Sequence, residues 1–351
     1  MNKVITIDNR TVGKGQPVYT IAEMSANHLM DFERAKEIIK LAKEAGADAI
    51  KLQTYRPDTI TLDCRGEEFM ATKGSPWEGM NLYDLYQTAY TPWEWHKDLF
   101  EYAREVGITC FSSPFDLTAV DLLEELNAPA YKIASFEIND IPLIKKVAKT
   151  GKPVIISTGI AEMADIELAL KTCKECGNEN VILLKCVSEY PTPYEELNLR
   201  TITNMVETFD CAVGLSDHSM GNAVDIAAVA LGACVIEKHL TVRRADGGPD
   251  GMFSMEPEEF KEMVTNIRNV EKALGCVHYE LTDKQKNSRG RSRSLYVAQD
   301  MKKGDKFTPE NLKSIRPGFG LHTKYYEDIL GKDAGCDLKK GTAMKWKYVK
   351  E

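Results

Sequence analysis

The chain has 351 residues, 43% of them hydrophobic and 28% charged, with a formal net charge of −8. That length holds one large domain and a small one, and the composition is ordinary for a globular protein. The acidic balance argues against a nucleic-acid binder, whose footprint is a basic patch, so an anionic ligand must be met by local lysines and arginines. Met1 to Asp8 contain no long apolar core, so neither a signal peptide nor a membrane span is expected. Nine cysteines, an odd number scattered through apolar runs, suit reduced and mostly buried thiols in a cytoplasmic protein.

From about residue 18 to 275 short β-branched runs alternate with amphipathic helices. The expected strands are Tyr19–Ala22, Ala49–Gln53, Ile108–Phe111, Ala130–Ile133, Val154–Ser157, Val181–Leu184, Ala212–Leu215 and Cys234–Ile236. Each is short and mostly apolar, as buried parallel strands are. In the helix beginning at Phe32 the apolar positions recur at three and four, with Asp31 as N-cap and Gly46 ending it. The same stripe runs through Phe260, Met263, Val264, Ile267 and Val270 to Gly275. Eight such units point to an α/β fold of the (β/α)8 TIM-barrel type. A doubly wound open sheet is the alternative, but no glycine-rich phosphate fingerprint follows the first strand.

Residues 56–91, with Trp77, Tyr83, Tyr86 and Tyr90, are longer than a normal loop and read as an ordered flap at the barrel mouth or as packing over its rim. Cys173-Lys174-Glu175-Cys176, a lone CxxC in a helical pattern, reads as ordinary helix residues. The expected boundaries are a barrel over 1–280, a polar, basic linker over 281–292 and a small β-rich module over 293–351. In that module short strands are punctuated by Lys-Lys-Gly turns. So small a core is marginal alone and is expected to dock onto a barrel.

Barrel active sites lie at the carboxyl ends of the strands. Those positions hold Glu23, Lys51 with Gln53, Ser112 with Ser113, Lys132 with Ser135 and Glu137, and Ser157 with Thr158. The later strands add Lys185 with Ser188 and Tyr190, Ser216 with His218, and Glu237 with His239. Charges inside apolar strands are costly unless paired or ligand-bound, so the Lys and Ser groups read as a phosphate or carboxylate site. His218 and His239 end consecutive strands, where they can share one divalent metal with coordination positions left open. Lys238 alternates in direction with His239 and should face the outer helices. His28, just past the first strand, is placed at the mouth.

Several segments resemble the sialic acid synthase family: Glu23-Met24-Ser25-Ala26-Asn27-His28, Ile50–Thr54, Phe111–Phe115, Tyr131–Glu137 and Ile156-Ser157-Thr158-Gly159. So do Tyr190-Pro191-Thr192-Pro193, Gly214–His218, Glu237-Lys238-His239 and Gly248-Pro249-Asp250. The tail, with Ile315-Arg316-Pro317-Gly318, resembles the antifreeze-like (SAF) domain. Ser25–His28, Thr91–Trp95 and Arg244–Asp250 are most similar to the pseudaminic acid synthase branch, and Ser188-Glu189-Tyr190 departs from the Asn-Ile-Tyr usual in sialic acid synthases.

The resemblance implies condensation of phosphoenolpyruvate with an N-acetylated sugar aldehyde and water, giving a 2-keto sugar acid and phosphate by C–O cleavage. For the pseudaminic branch the sugar is 2,4-diacetamido-2,4,6-trideoxy-L-altrose; N-acetylneuraminic and legionaminic acid synthesis are the alternatives. It implies Lys51, Lys132, Ser135, Ser157, Ser188 and Ser216 on phosphoenolpyruvate, and Gln53, Ser113, Tyr190, Asp250 and Arg316 on the sugar. Glu23 and Glu137 would move protons. His218 and His239 would hold a divalent ion, manganese by resemblance, with magnesium or cobalt as alternatives. Arg316 would come from the tail of a neighbouring subunit in a domain-swapped homodimer. A metal-dependent TIM-barrel hydrolase remains the alternative of another class, although it would usually carry more metal ligands; a purely carbohydrate-binding tail would leave the barrel cluster unexplained.

Overall fold

A computed structural model describes residues 1–75 and 77–350. It divides into two units, Met1–Gly275 and Cys276–Glu351. The first opens with a hairpin, β1 (Val4–Ile7) against β2 (Arg10–Gly13). Eight parallel strands then close into a barrel: β3 (Tyr19–Glu23), β4 (Ala49–Thr54), β5 (Thr109–Pro114), β6 (Tyr131–Ile133), β7 (Val154–Ser157), β8 (Val181–Cys186), β9 (Ala212–Asp217) and β10 (Val235–His239). β10 returns to pair with β3.

Every expected strand is present, and several run further toward the carboxyl end than the apolar runs suggested. β9 extends to Asp217 and β10 to His239, because parallel pairing continues through residues whose side chains are polar. The helices follow their apolar stripes. Phe32–Glu44 buries Ala35, Ile38, Ile39 and Ala42, and Asp31 accepts from the Glu33 and Arg34 N–H groups as its N-cap. Pro257–Leu274 buries Phe260, Met263, Val264 and Ile267 and stops at Gly275.

Two layers of core follow from the period-two alternation of the strands. Ile50, Leu52, Ile133, Ile156, Leu183, Leu215 and Ile236 face outward and pack beneath the helices. Tyr19, Ile21, Ala49, Phe111, Ile155, Ile182, Leu184 and Val235 fill the barrel interior together with Ile5, Ile7 and Val12 of the hairpin. The hairpin therefore seals the amino-terminal end, a role its short apolar alternation did not reveal in the sequence. With the lower barrel filled, the inward-facing charged side chains Glu23, Lys51, Lys132 and Glu237 lie at the carboxyl-terminal mouth.

The second unit pairs β11 (Ser294–Val297) antiparallel with β12 (Leu312–Ile315) over a core of Leu295, Val297, Met301, Phe307, Leu312, Ile329, Leu338 and Met344. Beyond that sheet its pairing consists of isolated bridges such as Met301–Leu338. A short helix, Asp283–Arg289, forms within the stretch read as a linker, capped by Thr282, which accepts from the Gln285 N–H.

Candidate active site at the barrel mouth

The strand register brings the polar residues into one ring. Glu23 lies beside Lys51 on one side and His239 on the other, Gln53 beside Ser113, and Glu237 beside Ser216. Above the apolar floor, Lys51 pairs with Glu23 at 3.1 Å and with Glu237 at 3.2 Å, while Lys132 approaches Glu237 at 3.6 Å. Gln53 donates to Glu23 (3.2 Å), and the Ser216 hydroxyl donates to Glu237 (2.9 Å).

Burial sets the protonation balance of this network. It pushes Glu23 up to about 7, helped by the negative Glu237, against the pull of Lys51. At Glu237 burial is outweighed by Lys132 and Lys51, which hold it near about 2. Burial also lowers Lys132, with Glu237 opposing, whereas at Lys51 the two carboxylates outweigh burial and raise it. Glu237 thus stays ionised between two ammonium groups.

A second group of residues supplies free hydroxyls. After β6 a 3-10 turn, Ser135–Glu137, projects Ser135 and Glu137. The Ser135 oxygen accepts the Gly159 N–H (3.1 Å), leaving its own proton to donate. The buried hydroxyls of Ser113, Ser157 and Ser188 have no hydrogen-bond partner among the described residues. A Cβ at Gly159 would stand 2.2 Å from Ser188 Oγ, 2.7 Å from Ser135 Oγ and 3.1 Å from Cys186 Sγ, so only glycine leaves this hollow open. Unpaired hydroxyls are costly in a protein interior, and a hollow carrying several of them beside two lysines suits a multiply charged anion.

Glu137 keeps a buried oxygen without a partner among the described residues, and burial raises its carboxyl to about 7 against the attraction of Lys132. Tyr190 stacks against His218 (ring centroids 4.4 Å apart) and Phe253 (5.1 Å). Asp250 is turned toward the loop after β3, where its carboxylate accepts from the Ser25 hydroxyl (2.5 Å) and the Ala26 N–H (3.3 Å). From the 56–91 insertion Trp77 reaches the mouth, donating to the Pro249 carbonyl (3.3 Å) beside Tyr190.

A model of the NeuB family matches residues 38–279, and a SAF domain model matches residues 292–350. The chain belongs to the NeuB family. It is 48% identical over 328 residues to a pseudaminic acid synthase of Campylobacter jejuni, covering 93% of this chain and 95% of that protein. Its identity to a pseudaminic acid synthase of Helicobacter pylori is 45% over 330 residues, with 94% and 97% covered. Among solved structures, an N-acetylneuraminic acid synthetase of Leptospira borgpetersenii in complex with citrate aligns at 33% identity with a TM-score of 0.72, covering 82% of this chain and 95% of that one.

In this NeuB-family barrel the residues fit a divalent ion. His218 and His239 have ring centroids 5.3 Å apart. Metal–nitrogen distances of about 2.0–2.1 Å allow two imidazoles so spaced to share one ion. His218 Nδ1–H donates to the Val187 carbonyl (3.0 Å), so in the neutral ring Nε2 is the bare nitrogen, and His239 has a buried Nδ1 without a partner among the described residues. Burial, with His218 nearby, drives His239 toward the neutral ring that metal binding needs, whereas Cys186 raises His218 against burial. Among the described residues no group of three or more His, Cys, Asp or Glu is arranged to hold a metal, so a divalent ion here would take its protein donors from the two imidazoles.

Four residues that the sequence placed at the mouth, Ser112, Lys185, Thr158 and His28, are corrected. Ser112 faces outward, bonded to Thr54 (2.6 Å), which in turn meets His96. Lys185 lies in the outward phase of β8 and donates to the Cys186 carbonyl (2.7 Å), and the Thr158 hydroxyl donates to the Leu184 carbonyl (3.1 Å). His28 does not line the mouth: it is buried, accepting from the Met30 N–H (3.1 Å), with its other nitrogen on Thr91 (3.3 Å) and its ring against Trp95. Arg316 is exposed on the second unit, and its expected reach into the site of a neighbouring copy is left untouched by that.

Three residues escaped the sequence reading. Phe253 packs on both histidines at 6.3 and 5.0 Å, Cys186 sits with Sγ 4.0 Å from His218 Nδ1, and Ser25 holds Asp250. A Phe in a loop and a Cys ending an apolar strand look like core, and no local pattern marks them.

Proposed function

We propose that the chain condenses phosphoenolpyruvate with 2,4-diacetamido-2,4,6-trideoxy-L-altrose and water to give pseudaminic acid and phosphate. The observation that carries this reading is the hollow of unpartnered serine hydroxyls and two buried lysines beside a histidine pair, in a chain close to pseudaminic acid synthases over nearly its whole length. Lys51, Lys132, Ser135, Ser157 and Ser188 meet the phosphate and carboxylate of phosphoenolpyruvate. Ser216 joins them by turning its hydroxyl away from Glu237. His218 and His239 hold a divalent ion, which we take to be manganese, with magnesium or cobalt as substitutes; when bound it polarises the sugar aldehyde.

The enolpyruvate methylene then attacks the aldehyde carbon, and the new alkoxide needs a proton. Water adds to the cationic C2 and must lose one before phosphate leaves with C–O cleavage. Glu137 and Glu23, both lifted to about 7, are matched to such transfers near neutral pH. Gln53, Ser113, Tyr190 and Asp250 contact the sugar in this reading. Arg316 reaches its N-acetyl end from the SAF module of a second copy in a domain-swapped homodimer, an assignment that rests on family resemblance. No helix among the described residues is long and apolar enough to cross a membrane, and we place the enzyme in the cytoplasm.

The direct test is phosphate release from phosphoenolpyruvate plus sugar by the protein and by His218→Ala/His239→Ala. Loss of metal-dependent turnover in the double variant supports the reading; full activity after thorough chelation overturns the metal's role.

A further inference from the structure

Behind the two histidines, on the faces of β9 and β10 that look away from the barrel axis, lies a buried charge cluster on the opposite side of these strands from the substrate groups. Lys238 pairs with Asp217 and, at 3.3 Å, with Asp225 of the helix Ala223–Ala230, and the three side chains are 1%, 0% and 0% exposed. The Lys238 ammonium also donates to the Ser219 carbonyl (2.9 Å). Asp217 accepts from the Ser219 N–H (3.0 Å) and hydroxyl (2.9 Å).

The place of this cluster in the sheet gives it a purpose. The β9–β10 ladder ends at the pair Lys238–Asp217. His218 and His239 are the next residue on each strand. His239 remains in register with Glu23 of β3, but His218 lies beyond the end of β9. Backbone pairing therefore stops fixing one strand against the other one residue short of the imidazoles. Lys238 takes over at that point: it grips the carboxylate before His218 and the carbonyl after it, while its own backbone leads into His239.

We propose that Lys238, Asp217 and Asp225 are positioning residues that set the spacing of the two imidazoles and thereby the divalent-ion affinity of the site. The proposal rests on the reading that His218 and His239 share a metal. A buried ion cluster is weak evidence for stability, because desolvation offsets its attraction; registry is its better-attested use.

The experiment titrates Mn2+ into chelator-stripped full-length protein, reading bound ion by electron paramagnetic resonance, with the melting temperature of each metal-free protein as control. Lys238→Met strands two buried carboxylates and is the variant most prone to unfold. The triple variant Asp217→Asn/Asp225→Asn/Lys238→Met leaves no charge in the cluster and should melt near the parent. It should bind Mn2+ about tenfold or more weakly, the range seen when groups supporting metal ligands are removed. Asp225→Asn, the mildest change, should show a smaller loss of the same sign, and Lys238→Arg should restore part of the affinity. Parental Mn2+ affinity in the folded triple variant and in Asp225→Asn overturns the positioning role. His218→Ala/His239→Ala separates the two readings: if it binds Mn2+ as the parent does, the shared-metal reading itself fails and takes the proposal with it.

Discussion

The Lys51 ammonium lies 3.2 Å from the Glu237 carboxylate, and both side chains are 5% exposed. Glu237 also faces Lys132 at 3.6 Å, so one carboxylate holds two ammonium groups in readiness for an anion. Glu237→Gln leaves Lys132 without its buried carboxylate partner, while Lys51 keeps Glu23. It should lower the stability of the ligand-free protein by about 3–5 kcal/mol, the usual cost of breaking a buried pair. Phosphoenolpyruvate should then raise the melting temperature more in the variant than in the parent. Equal melting temperatures without ligand would count against the network.

Glu137 is expected to titrate near about 7 because burial disfavours its charge. Its folded value lies above the ordinary carboxylate value, so its favourable contribution to stability is complete below that ordinary value and fades as pH rises through about 7. Glu137→Gln removes the ionisation. Between pH 5 and pH 8 the parent should therefore lose stability relative to the variant, read as the difference between their melting temperatures. The same substitution should lower kcat by about 10²–10⁴ if Glu137 transfers a proton, with the KM for phosphoenolpyruvate nearly unchanged.

Gly159→Ala inserts a methyl group 2.2 Å from Ser188 Oγ and 2.7 Å from Ser135 Oγ. The hydroxyls must move. Kcat/KM for phosphoenolpyruvate should fall by up to about 10²-fold, as displacements on the 1 Å scale can cause. Unchanged steady-state kinetics would show that the hollow does not receive the phosphate.

Arg316→Ala tests the tail. Its exposed guanidinium, assigned to the sugar's N-acetyl end, should raise the KM of the sugar more than that of phosphoenolpyruvate. An equal effect on both substrates would argue against the assignment.

Much of the barrel was legible because buried parallel strands are short apolar runs and the helices between them carry unambiguous stripes. Lys51, Lys132, Glu23 and Glu237 stood out as charges in apolar strands, and the register does bring them together. What escaped was set by which way a side chain points or by distant contacts. Ser112 and Ser113 are adjacent, yet the pleat sends one hydroxyl to Thr54 and leaves the other buried with no partner among the described residues. The bond from Ser25 to Asp250 joins loops 225 positions apart, and nothing in either segment announces the other. The hairpin was missed because its apolar alternation is too brief to show which surface it covers.

The central claim, a phosphoenolpyruvate-dependent synthase acting on a 6-deoxy diacetamido sugar, is tested most directly by phosphate release from the full-length protein with phosphoenolpyruvate and Mn2+. The sugars to compare are 2,4-diacetamido-2,4,6-trideoxy-L-altrose and N-acetylmannosamine. Rapid release with the first, little with the second, and none with either after chelation is the expected result. Turnover of N-acetylmannosamine with no release from the trideoxy sugar would contradict it.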